Sequence, residues 1–143
     1  MDIGGYTFPD ELYYDKNHGW AKVEDSVVTQ GVTEFAQAIS KEIVYVEVPR
    51  AGRAVEQGQT FMSMESGKWV GRIAAMASGT ISEANEELEW DVTPINEDPF
   101  GEGWLARIEA SDTSELGNLL KASDDEFKSF MESEIEKFKD ILE

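Results

Sequence analysis

The 143-residue chain contains no cysteine and a single histidine, His18. Without cysteine it can form no disulfide, no thiolate metal site and no cysteine nucleophile. With one histidine, a metal site would have to be built from carboxylates, and a triad that uses a second, orienting histidine is excluded. Any sulfur redox chemistry would therefore have to reside on an attached cofactor, and we predict neither catalytic residues nor a metal site.

Basic residues are also scarce. The chain has 12 Lys and Arg against 30 Asp and Glu, a formal net charge of -18. Such a charge repels nucleic acid and anionic membranes. No apolar run approaches about 20 residues, and the opening "MDIGGYTFPDELYYD" lacks the basic-then-apolar order of a signal peptide. We expect a cytoplasmic, soluble protein that binds neither nucleic acid nor membrane.

Short apolar and aromatic runs alternate with Gly, Pro, Asn or Asp from residue 19 to 109. This pattern is typical of an all-β sandwich or barrel. The predicted strands are 20–24, 27–31, 43–48, 60–65, 69–74, 79–85 and 104–109. The "GEGW" glycines are interpreted as a loop before the last of these, because no helical pattern follows them. We predict a single domain over residues 1–143.

Two helices are predicted beside the strands. "VTEFAQAIS" has Thr33 as a plausible cap and apolar residues at helical spacing. Residues 112–143 are predicted to form a helical C-terminal extension packed on the domain, with Ser123 and Glu126 as a capping box. One helical face there is apolar and should cover the core: Phe127, Phe130, Met131, Ile135, Phe138, Ile141 and Leu142.

The residues around Lys68 predict a β-hairpin with a lysine near its tip. The flanking runs "TFMSME" and "WVGRIA" are similar in length, and Gly67 is expected to supply the positive φ that a tight turn often needs. An amine at such a tip is accessible to an acylating enzyme. The alternative is an ordinary, unmodified turn lysine.

Charge is unevenly distributed around this lysine. Residues 83–102 contain eight acidic side chains and no basic one, whereas residues 50–82 contain four basic and two acidic ones. An acidic surface beside a locally basic tip could steer a basic enzyme to the tip. Plain solubility explains the same pattern equally well.

Seven stretches, in order, resemble the H protein of the glycine cleavage system from residue 12 to about residue 134. They are "HGWAKVE", "VTQGVTEFAQ", "EIVYVEVPRAG", "MESGK", "ASGTISEANEEL", "PINEDPFGEGWLARI" and "SDTSELGNLL". The resemblance implies a mainly β, barrel-sandwich hybrid fold with a short internal helix and C-terminal helices. It also implies a non-catalytic, monomeric carrier with lipoic acid covalently bound to Lys68, in the context of Glu65, Ser66, Gly67 and Trp69.

A lipoyl group on this lysine would carry its dithiolane roughly 14 Å from the backbone, so that the arm could visit several active sites in turn. The implied partners are a lipoate-attaching enzyme and the enzymes that use the arm, including a dihydrolipoamide dehydrogenase. Biotin is the alternative cofactor, but biotin carriers place Met on both sides of the lysine, and here the neighbours are Gly67 and Trp69.

The sequence departs from the family at two positions that bear on the cargo. Gly19 and Arg72 stand where the family has carboxylates, which would hold a cationic aminomethyl group. We therefore predict cargo selection by Arg72, Gly19, His18 and Phe35, and we favour an anionic sulfur cargo, as in the lipoate-binding proteins of heterodisulfide-reductase-like sulfur oxidation. The alternatives are an aminomethyl carrier of glycine cleavage, an unmodified scaffold protein, and a purely structural His18 and Arg72.

Overall fold

The computed structural model describes residues 1–67 and 70–142. The strands in this part of the chain are β1 (Asp2–Ile3), β2 (Tyr6–Thr7), β3 (Tyr13–Tyr14), β4 (Gly19–Glu24), β5 (Val27–Val32), β6 (Ile43–Glu47), β7 (Ala54–Val55), β8 (Thr60–Ser66), β9 (Val70–Ala74), β10 (Gly79–Ala84), β11 (Ala106–Ala110) and β12 (Leu120–Lys121). The α-helices are α1 (Glu34–Ser40), α2 (Thr93–Glu97), α3 (Asp125–Lys137) and α4 (Lys139–Leu142), and 3₁₀ helices span Glu86–Glu89 and Thr113–Asn118.

Two antiparallel sheets form the body of the molecule. The larger has the strand order β12-β3-β4-β5-β11-β10-β7, and the smaller has the order β6-β8-β9. The predicted strands in the described residues agree with these elements to within two residues. The prediction that the last strand begins at Trp104 is wrong, because the Trp104 amide still closes a turn onto the Gly101 carbonyl at 3.1 Å and the strand begins at Ala106.

The main core lies between the two sheets. The small sheet contributes Val46, Met64 and Ile73, and the large sheet contributes Ile81 and Ile108. All are buried, as the period-two alternation of apolar and polar residues in a half-buried strand requires. The sheets therefore face each other across a shared apolar layer.

A buried amide ties the two sheets together. Gln30 in β5 donates from Nε2 to the Ala74 carbonyl at the end of β9, and its Oε1 accepts from the Met76 amide, both at 2.9 Å. Gln30 is 1% exposed. Both ends of the amide are satisfied, so this polar group stabilises one relative placement of the sheets at no cost of an unpaired donor or acceptor.

Helix α1 begins where the sequence predicts. The Thr33 side chain accepts a hydrogen bond from the Ala36 amide at 3.1 Å, which satisfies one of the free donors of the first turn. Phe35, Ala36 and Ile39 are buried beneath the helix. The helix therefore joins β5 to β6 while covering the core.

Strand β6 forms one edge of the small sheet, and its first residue is blocked by a side chain. Asn96 of α2 accepts from the Ile43 amide at 2.9 Å and donates to the Ile43 carbonyl at 3.0 Å. The amide thus takes the place of a neighbouring strand. In this way α2 protects the start of the edge.

The predicted capping box at Ser123 and Glu126 is wrong. Helix α3 starts at Asp125 with Asp124 as its N-cap, and no side chain caps its first turn. The Asp124 carboxylate instead accepts from the Lys121 amide at 2.7 Å, closing the turn that precedes the helix.

The predicted apolar face of α3 and α4 packs on the fold. Phe127 and Met131 are each 1% exposed and join a cluster with Phe8, Tyr14 and Phe35. Ile141, at the end of the face, is exposed. The segment from residue 112 onward is not helical throughout, because β12 joins the large sheet; that residues 1–143 form a single domain stays a prediction. Within the described residues, no helix is long and apolar enough to cross a membrane.

Candidate functional site

Lys68 belongs to the connection between β8 and β9. These strands pair antiparallel with Glu65 opposite Val70, so the predicted hairpin is confirmed in its two arms. Lys68 and Trp69 lie outside the described residues. Glu65 and Ser66 are half-buried at the end of β8, opposite Tyr45 and Ile43 of β6.

The expected positive φ at Gly67 is wrong. Gly67 does not adopt the left-handed region, and a Cβ built on it meets no described atom within 4 Å. Neither the backbone conformation of Gly67 nor its packing against the described residues therefore requires a glycine. What the structure shows at this position is open space directly before Lys68.

A cavity of about 240 Å³ lies beside β8 and β9. Helix α1 and the end of β5 form its apolar side with Val32, Ala36 and Ile39. The small sheet contributes Met64 and the stretch 71–73, and the turn at 16–18 closes it. An apolar wall suits the hydrocarbon and dithiolane of a lipoyl group, so the residues present fit that cofactor.

His18 is held rigidly at this cavity. Its Nε2 lies 2.8 Å from Glu134 Oε1 of α3, and its ring packs against Phe35 and Phe130 at centroid distances of 4.9 and 5.4 Å. Because a carboxylate only accepts, Nε2 carries the proton and donates. Burial lowers the pKa of His18, opposed by the hydrogen bond and charge of Glu134. The histidine is thus a hydrogen-bonded structural residue that also lines the cavity.

Gly19 is buried, and because it has no side chain, the carboxylate of Asp15 can lie beside it. A Cβ on Gly19 would lie 3.1 and 3.3 Å from the two carboxylate oxygens of Asp15 and 3.2 Å from the Met76 sulfur. Asp15 Oδ1 accepts from the Gly19 amide at 2.8 Å and from the Asn17 amide at 3.0 Å. Gly19 itself carries no carboxylate, but the Asp15 carboxylate lies beside it; that Gly19 takes part in cargo selection stays a prediction.

Asp15 was not found by sequence reasoning. Burial raises its pKa, while the Gly19 and Asn17 hydrogen bonds and the charge of His18 act in the opposite direction. Only the spacing of a carboxylate four residues before a glycine in the turn "DKNHG" could have indicated it. That spacing is common in turns and carries little information about chemistry.

The other two predicted selecting residues lie at different depths. Phe35 is fully buried behind the His18 ring and contacts Tyr6 and Phe138, so it can act on a cargo only through His18. Arg72 is exposed at the cavity and makes no ion pair or hydrogen bond with any described residue.

A second cation lines the same cavity. Lys16 lies 3.7 Å from Glu126 and 6.0 Å from the centroid of the Phe130 ring, at the surface. The rim of the cavity thus carries two basic residues, while the carboxylates of Asp15 and Glu134 contact the residues behind it. Among the described residues, no group of three potential metal ligands occurs.

Comparison with known proteins shows which family the chain resembles. The family model described as "Glycine cleavage H-protein" matches residues 12–134. The glycine cleavage system H proteins of Staphylococcus haemolyticus and Staphylococcus epidermidis are 43% and 45% identical, over 86% and 80% of this chain and 96% and 90% of their own lengths. The crystal structure of a glycine cleavage system H protein from Mycobacterium marinum superposes with a TM-score of 0.77 at 29% identity, covering 89% of this chain and 98% of that one.

These matches confirm the mainly β, barrel-sandwich type of fold. Proteins of the matched family are carriers and not enzymes, and they hold lipoic acid covalently on a lysine. The chain belongs to the glycine cleavage H-protein family.

Proposed function

We propose that this protein is the lipoyl carrier of a glycine cleavage system, with lipoic acid on Lys68 and an aminomethyl group as its cargo. The observation that carries this is the match of residues 12–134 to the H-protein model; the pairing of β8 with β9, the strands that flank Lys68 in the sequence, supports it. The proposed partners are a lipoate-attaching enzyme and the glycine cleavage enzymes, including a dihydrolipoamide dehydrogenase. We propose a cytoplasmic location and a monomeric state.

When bound, the lipoyl group supplies the sulfur on which the cargo is carried. The chain itself provides a rigid base. Gln30 fixes the small sheet against the large one, and the His18 carbonyl accepts the Thr33 amide at 2.9 Å, which ties the turn at the cavity to the start of α1. Because these hydrogen bonds hold the base in place, the length of the lipoyl arm determines which active sites the cargo can reach.

The charges around His18 favour an amine cargo more than the sequence alone suggested. Asp15 and Glu134 place two carboxylates against His18 and Gly19, and the lowered pKa of His18 keeps its imidazole neutral near pH 7. The relatives named above are likewise glycine cleavage proteins, so the comparisons support the glycine pathway and give no support to sulfur oxidation.

An anionic cargo is the second candidate, because one observation favours it. Lys16 and Arg72 both line the cavity and are exposed, and Arg72 has no acidic partner among the described residues. A guanidinium without a partner can donate two parallel hydrogen bonds to an oxidised-sulfur group. In this reading the carrier serves heterodisulfide-reductase-like sulfur oxidation.

Intact-mass spectrometry of the lipoylated protein distinguishes the two. One sample is incubated with glycine and a glycine decarboxylase, the other with reduced sulfur compounds. We expect an aminomethyl adduct in the first sample, reduced in Asp15→Asn and retained in Arg72→Ser. A sulfur adduct that is lost in Arg72→Ser, together with the absence of an aminomethyl adduct, would contradict the glycine pathway and support the sulfur-oxidation function. Lys68→Arg, which cannot be acylated, is the control and should give neither adduct.

A further inference from the structure

The outer face of the small sheet carries an exposed apolar surface that includes Val70, two residues after Lys68 in the chain. The strand register places Tyr45, Glu65 and Val70 opposite one another across β6, β8 and β9. Directly opposed residues of antiparallel strands project to the same face. The next row, Val46, Met64 and Gly71, faces the core, so the first row faces outward.

A β-bulge enlarges this surface. Ile43 pairs with Ser66 and Tyr45 with Glu65, so Val44 is an extra residue in β6. The bulge turns two consecutive apolar side chains to solvent, whereas a regular strand would bury one of them. Val44, Tyr45 and Val70, here called the sheet-face patch, are 56%, 50% and 55% exposed.

Exposed apolar residues of this size are few elsewhere. Six large ones are exposed in the described part of the chain, and the sheet-face patch contains three of them. A fourth, Trp90, is 87% exposed and directly follows the 3₁₀ helix Glu86–Glu89, which packs against β6. Such a concentration of apolar and aromatic side chains marks an interaction surface rather than a random scatter.

Carboxylates outnumber basic residues around this surface, where Arg72 lies in the next outward-facing row, opposite Ser63, and Lys41 precedes Glu42. Glu42 and Glu47 are exposed at the two ends of β6. Four further carboxylates flank Trp90: Glu86, Glu87, Glu89 and Asp91. A second copy of this chain is a poor occupant, because two such rims would repel each other in a molecule of net charge -18. The rim fits a basic partner.

We propose that the sheet-face patch with its acidic rim is the docking surface of the enzyme that attaches lipoate to Lys68; this rests on the proposed function. Val70 follows Lys68 by two residues in the chain, so an enzyme that acts on the unextended lysine works close to the Val70 end of this surface. An enzyme that uses the finished arm works roughly 14 Å from the backbone and need not do so. The attaching enzyme accordingly presents a basic face with an apolar recess for Tyr45 and Val70.

The step that this docking serves is acyl transfer. Lipoate and ATP give lipoyl adenylate and pyrophosphate. The unprotonated lysine amine attacks the acyl carbon, an amide bond forms, the acyl–phosphate bond breaks, and AMP and a proton leave. The patch takes no part in this chemistry. It contributes binding energy that holds the lysine at the enzyme, so its loss should appear mainly in KM.

The test is the acylation rate with a lipoate–protein ligase, free lipoic acid and ATP. In Tyr45→Ser/Val70→Ser we expect kcat/KM to fall about 10-fold or more, mostly through KM. Ile141→Ser, which removes an exposed apolar side chain on α4, is the matched control and should react like the wild type. Equal near-ultraviolet circular dichroism of the variants and the wild type shows that the fold is kept.

The rim is tested in the same assay. Glu42→Lys/Glu47→Lys should lower kcat/KM at about 50 mM salt and lose most of this effect at about 500 mM, because exposed charges are then screened. The matched change on α3, Glu132→Lys/Glu136→Lys, adds the same charge away from β6 and should have little effect.

Competition separates docking from chemistry. Lys68→Arg keeps the patch but cannot be acylated, so it should inhibit wild-type acylation competitively, whereas Lys68→Arg/Tyr45→Ser/Val70→Ser should not. Patch variants that are acylated at the wild-type rate would overturn the docking proposal, even if their transfer from glycine decarboxylase fell. Failure of the wild-type protein to accept lipoate at all would instead contradict the lipoyl-carrier function.

Discussion

At the scale of single residues, His18 lines the cavity, and two carboxylates from distant parts of the chain lie behind it. Asp15 reaches the space beside Gly19 from the same turn, whereas Glu134 reaches His18 from α3, 116 residues away. Desolvation and ion pairing act on His18 in opposite directions, and the lowered pKa means that desolvation prevails.

The titration of His18 tests this balance directly. As the only histidine, it gives one imidazole signal in a proton NMR titration. We expect a pKa below the usual value of about 6.5 in the wild type and a lower one in Glu134→Gln, because Glu134 raises the pKa of His18. A pKa above that value, or one that rises in Glu134→Gln, would contradict the balance.

The lowered pKa of His18 also makes the free energy of unfolding depend on pH, in a direction that can be worked out. The folded-state pKa of His18 is lowered, so the unfolded chain binds more protons between the folded-state and unfolded-state values. The contribution of His18 to the free energy of unfolding is therefore fully present above about pH 6.5 and is lost as the pH falls through the folded-state pKa. Asp15, whose pKa is raised, has the opposite pH dependence. Its contribution to the free energy of unfolding is present at low pH and is lost as the pH rises through its folded-state pKa.

Residue-level features were the least predictable from the sequence. The resemblance identified Lys68 and the positions of Gly19 and Arg72, but it could not show that the Asp15 carboxylate occupies the space beside Gly19. That placement depends on the path of the turn at 15–19, where His18 adopts a φ of 64°. The open position at Gly67 likewise depends on the three-dimensional surroundings and not on the residue type.

At the scale of elements, the helices position the site and the strands carry it. Helix α1 forms one wall of the cavity, and α3 supplies both Glu134 and the buried pair Phe127 and Met131. The sequence predicted these elements well because their apolar periodicity is strong. It did not predict the sheet order or the start of α3, since these depend on pairings between distant residues and on where the Asp124 carboxylate finds a donor.

The contribution of α3 can be measured by truncating one buried side chain. Met131→Ala should lower the free energy of unfolding by about 2–5 kcal/mol, because it removes buried methylene groups and leaves a cavity in the cluster that contains Phe8 and Tyr14. Glu132→Ala, at the exposed position that follows Met131, should change the free energy of unfolding by less than about 0.5 kcal/mol. Urea unfolding of the three proteins gives the comparison, and equal midpoints would show that α3 does not pack as described.

At the scale of the whole molecule, three apolar clusters share the same sheets. The cluster between the sheets and the cluster beneath α3 both draw residues from α1, Ala36 in the first and Phe35 and Ile39 in the second. Clusters that share one helix cannot lose their packing independently. This is the structural basis for proposing one domain over residues 1–143.

A single domain should unfold in one transition. We expect urea unfolding followed by tryptophan fluorescence, which includes the buried Trp20, to coincide with unfolding followed by far-ultraviolet circular dichroism. Midpoints that differ between the two probes would mean that the C-terminal helices form a separate unit. In the Met131→Ala protein, the fluorescence and circular dichroism transitions should also coincide, at a lower urea concentration.

The amide of Asn96 has a consequence for how partners leave. By occupying the hydrogen-bonding groups of Ile43, with the bulge at Val44 breaking the regular spacing that follows, it hinders another protein from adding a strand at the start of β6. A partner that contacts the start of this edge is then held there by side chains, without a shared backbone ladder. A carrier that has to dissociate after each visit is released more readily from such a contact.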